Sequence, residues 1–146
     1  MYNVLDVSRY VINYSNEQEY GISNLKLQKI LYFIQVFFII CKKNNEPCFY
    51  EKIEAWDFGP VVPEAYQEYK RYGSGNIPTV DFYTQLNEED IWDSEVVNYD
   101  DSIIKDSDKN LINQVINKFA DYSATNLVSI THNQSPWKDA YKKRRK

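Results

Sequence analysis

The chain has 146 residues, 17 basic and 21 acidic side chains, a net charge of −4, and 13 Tyr, 7 Phe and 3 Trp beside only 4 Gly and 5 Pro. That length supports one ordinary domain with a real core, and the composition excludes a linker or a low-complexity segment. One histidine and two cysteines exclude a His-built zinc site and a disulfide framework.

The elements are taken in chain order. Asn3 followed by Asp6 is a capping-box-like start, and Val4, Val7, Val11 and Tyr14 recur at helical spacing, which predicts a helix over about residues 4–19. Gly21 breaks it, and Ser23 or Asn24 caps the next. The second helix, about 24–43, is apolar nearly all round after its first turns, as a helix buried at the centre of its domain is. Its longest apolar run, Ile30 to Cys41, is too short to span a bilayer, so no membrane partner is expected. With no secretory signal at the start, a cytoplasmic protein with ordinary thiols is expected.

Phe49 to Phe58 reads as a short strand, and the run from Glu54 to Pro63 as a rigid corner pinned by Trp56 and Phe58. Pro60 to Pro63 then opens a third helix that Gly73 ends. Pro78 to Tyr83 suggests a second short strand. Residues 84–107 are irregular and acidic, with Trp92, Val96 and Val97 as candidate anchors to the core. A helix over about 106–120 follows, and Ser123 restarts one through Leu127, Val128 and Ile130. Ser135 and Pro136 cap a short closing helix that carries Trp137 and Tyr141. The fold class is mostly α: a compact helical domain, residues 1–146, around a central buried helix with at most a small β element.

Charge is unevenly spread. Residues 142–146 form a basic tail worth +5, which leaves −9 on the other 141 residues. Ten acidic residues and one basic residue, Lys105, lie between Asp81 and Asp108. The tail is a solvated terminus or a nucleic-acid or partner contact, and the acidic stretch is a solvated surface or a docking face for a basic partner. The acidic bulk of the domain argues against nucleic acid, because it repels phosphates. Lys26 and Lys29 share one face at the start of the second helix, where they either pack or meet an acidic partner. His132 has no accompanying nucleophile elbow, and Gly73-Ser74-Gly75-Asn76 lacks a P-loop lysine. No motif states a reaction, and no catalytic residue, metal ligand or cofactor follows from the residues.

Three segments taken together identify a family. They are Asn24 to Gln35, Ile53 to Tyr66, and Leu127 to His132 followed by Ser135 to Tyr141. Their order and spacing over about residues 4–142 resemble the Panacea domain, the SocA-like antitoxin family, which is also known as a phage-associated domain. The resemblance implies a mostly helical domain of bacteria, phages and prophages that neutralises a cognate protein toxin by direct binding. An alternative is a proteolytic adaptor that delivers the toxin to a ClpXP-type protease. A further alternative is a nucleic-acid-associated protein of a phage or mobile element. A homo-oligomer stays open. The family is not known for a catalytic site or cofactor. The motif positions carried over are Lys26, Gln28 and Tyr32, then Trp56, Gly59, Pro60 and Pro63, then Thr131, His132 and Trp137. The chain departs from the family pattern at Asp57, at Asn133-Gln134 and through the acidic stretch from Asp81 to Asp108.

Overall fold

The computed structural model describes residues 1–132, and these form a mostly helical fold with a small β content. In chain order its main elements are α1 (Val4–Glu17), α2 (Asn24–Cys41), β1 (Glu54–Trp56), β2 (Gly59–Val61), α3 (Pro63–Tyr69), β3 (Phe82–Gln85), β4 (Glu95–Asn98), α4 (Asp106–Lys118) and α5 (Ala124–His132). The closing helix over Ser135 to Tyr141, with Trp137, and the basic tail at 142–146 lie outside the described residues.

Local chemistry sets the helix ends. The Asn3 side chain accepts from the Leu5 N–H at 2.8 Å, which satisfies one orphan donor of α1. Asp6 does not close a capping box; its carboxylate takes Arg9 at 2.8 Å instead. Past α1 the chain turns through Glu19 (φ 63°) and Gly21 (φ 67°). A Cβ on Gly21 would stand 2.6 Å from the end of the Asn76 side chain, which can swing aside, so it is the positive φ that favours glycine here. Ser23 caps α2 by accepting from the Lys26 N–H. Ser123 caps α5 by accepting from the Asn126 N–H at 3.1 Å.

The core collects the apolar stripes the spacing predicts. Val4, Val7 and Val11 of α1 are fully buried, as are Leu27, Leu31 and Ile34 of α2 and Ile112 of α4. Phe33 of α2 stacks on Phe119 beyond α4 with ring centroids 4.4 Å apart. α2 contacts α1, α3, β2, α4 and α5. It is long and apolar enough, by length and composition alone, to cross a membrane, yet here ten of its residues are packed inside the protein. Its last turn departs from the expectation of all-round burial: Ile39 and Ile40 are 42% and 68% exposed.

Both sheets are antiparallel hairpins. β1 pairs with β2 across a two-residue turn at Asp57 and Phe58, in the register Glu54↔Val61, Ala55↔Pro60 and Trp56↔Gly59. Two expectations are corrected here. Phe49 to Phe58 is not one strand; Phe49 forms only a bridge with Tyr2, and β1 starts at Glu54. The third helix does not begin at Pro60, which is a β2 residue; Pro63 takes the first helical position. β3 pairs with β4 in the register Phe82↔Asn98 through Gln85↔Glu95. Residues 84–107, expected to be irregular, therefore hold most of a second hairpin. Trp92 and Val96, expected to anchor to the core, are instead 94% and 70% exposed.

Candidate partner-binding surfaces

The motif residues of α2 meet the first hairpin through a buried polar network. Gly59 sits at φ 101°, a backbone angle that side chains rarely allow, and this closes the turn that brings β2 against α2. In β2 and just beyond it, the Pro60 carbonyl and the Val62 N–H point the same way, and among the described residues no further strand pairs them. Two side chains of α2 take that place. Lys29 Nζ donates to the Pro60 carbonyl at 2.8 Å, and the Gln28 carbonyl oxygen accepts from the Val62 N–H at 2.9 Å. The Gln28 amide donates to Asn24 Oδ1 at 2.9 Å, and the Asn24 amide donates to the Tyr66 carbonyl at 3.1 Å. Two consecutive elements, β2 and α3, are thereby tied to the start of α2.

Lys29 is 0% exposed. Among the described residues no carboxylate pairs with it. Its ammonium lies 5.4 Å from the Phe58 ring centroid, and burial pulls its pKa down to about 7. The face of the junction is aromatic. Trp56 meets Tyr66 edge-on at 5.1 Å and Phe58 at 5.7 Å, while its indole N–H donates to Glu54 at 3.0 Å.

The predicted positions separate. Gln28, Trp56, Gly59, Pro60 and Pro63 gather at this junction. Lys26 points to the far end of α4, where its ammonium donates to the Ala120 carbonyl at 2.9 Å, and burial lowers its pKa. Tyr32 lies one turn further along α2, 6% exposed and edge-on to Phe33 at 5.4 Å. Thr131 and His132 fall in the last turn of α5. Sequence reasoning placed Phe58 beside Trp56 at this corner, but not Lys29, Asn24 or Tyr66. The one readable signal was the Asn24/Gln28 pair four residues apart on a helix.

A second surface is the arm formed by β3, β4 and the loop between them. Its base is fixed to α1. The Asn13 amide donates to the Val80 carbonyl and accepts from the Val80 N–H, both at 2.8 Å, in the manner of a strand edge. The Arg9 guanidinium, held by Asp6, lies 3.4 Å from the Tyr83 ring centroid. The Asn16 amide donates to the Ile77 carbonyl at 3.1 Å and Thr79 Oγ1 at 3.0 Å. Beyond this base no residue of the arm is buried.

Among the described residues there is no group of three or more His, Cys, Asp or Glu placed to hold a metal ion. Cys41 is exposed and Cys48 buried, both free, and burial pushes the Cys48 thiol well up from its usual range.

A family model for the SocA-like antitoxin, Panacea domain, matches residues 27–138. The match begins inside α2, later than the span from residue 4 that the motifs suggest, and it takes in the arm and all of the junction except Asn24. No curated protein and no solved structure matches the chain significantly.

Proposed function

The chain belongs to the SocA-like antitoxin family with a Panacea domain, and on that premise we propose that it neutralises a cognate protein toxin by direct binding. The observation that carries the proposal is the family match over residues 27–138, most of the chain. On this proposal residues 1–146 form a single domain organised round α2. The domain acts in the cytoplasm, without catalysis or cofactor. The motif residues at the α2–hairpin junction serve mainly to hold the scaffold, because their polar atoms are spent on each other.

Co-expression with the product of the adjacent gene tests this. A toxic neighbour that becomes harmless in the presence of this protein, and co-purifies with it at an unchanged toxin level, is the expected outcome. A neighbour that is harmless alone, or stays toxic and unbound, overturns the proposal. Toxin that disappears only while a ClpXP-type protease is present replaces masking with delivery to that protease.

A further inference from the structure

We propose that the β3–β4 arm is the surface that docks the toxin, seated on a basic patch of it with an apolar slot that receives Trp92. This rests on the antitoxin reading.

The arm combines three features that seldom coincide without a partner. The first is exposed apolar area. The β3/β4 register puts Phe82, Thr84, Val96 and Asn98 on one face, with Phe82 and Val96 as diagonal neighbours, and these two are 65% and 70% exposed. The opposite face carries Tyr83, which is the one held against Arg9. At the tip Leu86 and Ile91 are each 68% exposed and Trp92 is 94% exposed. Single exposed apolar residues need no explanation, but a run of them on one projecting element marks an interaction surface. Trp is also the residue most enriched at binding hot spots.

The second feature is order at the tip. Asn87 Oδ1 accepts from the Glu89 and Asp90 N–H groups, and the Ser94 hydroxyl accepts from the Asn87 N–H at 3.1 Å. Asp90 accepts from the Trp92 N–H at 3.1 Å and caps the single 3₁₀ turn that presents the indole. The backbone that carries the indole is thereby pre-set and has little freedom left to lose on docking, which leaves the side-chain rotamer to be fixed.

The third feature is charge. Residues 81–101 contain eight acidic residues and no basic one. Five of these, Glu88, Glu89, Asp90, Asp93 and Glu95, lie on the arm itself, so the arm carries −5 and the rest of the chain +1. A face of that sign repels nucleic acid and a second copy of itself, and it attracts a basic protein surface.

The test is a titration of the full chain against the protein encoded by the adjacent gene, at low and at high salt. Trp92→Ala should weaken binding about 30- to 1000-fold, the range for loss of a hot-spot Trp. Glu88→Lys with Glu89→Lys should slow association and flatten its salt dependence. All three side chains are exposed, so both variants should melt as the wild type does, and the charge pair keeps the test open if Trp92→Ala is misfolded. Wild-type binding that Trp92→Ala changes by less than about 3-fold, with the salt dependence kept in the lysine pair, overturns the docking surface and leaves the antitoxin reading standing. Trp92→Ala that turns a dimer into a monomer at unchanged toxin affinity makes the arm a self-interface and also overturns it. A wild-type chain that neither binds nor neutralises the neighbour overturns both.

Discussion

Lys29 is the least expected side chain in the molecule. A lysine at 0% exposure, with a carbonyl rather than a carboxylate at 2.8 Å, gives up solvation for one hydrogen bond. Its pKa falls from 10.5 to about 7. The sign of the consequence follows from proton counts. Below about pH 7 both folded and unfolded chains hold the proton, and the burial penalty is felt in full. Between pH 7 and 9 the unfolded chain holds it and the fold has released it, so stability rises with pH. Above pH 9 the raised Cys48 thiol and the raised Tyr69 phenol act the other way, because the unfolded chain ionises first. Unfolding free energies from urea titrations should therefore climb between pH 7 and 9, by about 1 kcal/mol per pH unit at most, and Lys29→Met should flatten that climb. Equal slopes in the two proteins would show that Lys29 is charged in the fold. Gln28 tests the same junction at fixed pH. Gln28→Leu leaves the buried Val62 N–H without its acceptor, at a loss of about 2–4 kcal/mol by denaturant unfolding, and a loss below about 1 kcal/mol would mean another acceptor stands in.

The helices were legible because each buries a stripe. Val4, Val7 and Val11, and then Ile112, Val115, Ile116 and Phe119, lie at helical spacing in the sequence and are buried in the fold. The first hairpin was not legible. Pro60 and Pro63 both satisfy the preference for proline in a first helical turn, and only the positive φ of Gly59, together with the Lys29 and Gln28 bonds, keeps Pro60 in a strand. Those bonds join residues more than thirty positions apart, so no local pattern announces them. Of the second hairpin only the start was legible, the strand expected over Pro78 to Tyr83 meeting β3 at Phe82 and Tyr83, and β4 was missed for the opposite reason. None of the hairpin's residues is fully buried and only Tyr83 and Val97 of its strands are half-buried, so it has little alternation to read, and its acidic, turn-forming composition looks like loop. The first hairpin also gives a clean test. Gly59→Ala puts a Cβ on a backbone held at φ 101°, which should destabilise the protein by about 1–3 kcal/mol. Thermal unfolding should register this as a drop of several degrees, and an unchanged midpoint would mean that the turn relaxes to another form.

At the scale of the whole molecule, stability and charge are housed apart. Every side chain of the core cluster lies outside the arm, in α1, α2, α4, α5, the α3 segment and the connections between them. The arm adds the Tyr83 contact to Arg9 and hydrogen bonds at its base. It also holds five of the 21 acidic residues and no basic one. A fold built this way can lose the arm and keep its core. Joining Asp81 to Tyr99 through a short Gly/Ser linker removes one cation–π contact and a two-stranded ladder, neither of which buries core. The expected loss is about 2 kcal/mol or less, or a midpoint lower by about 4–8 °C. The same change should abolish neutralisation of the toxin and move the net charge of the chain towards positive, with new retention on a cation exchanger. An armless chain that fails to fold would place the arm within the cooperative unit. An armless chain that folds and still neutralises would move the toxin contact to another face, with the aromatic front of Trp56, Phe58 and Tyr66 next to be tested.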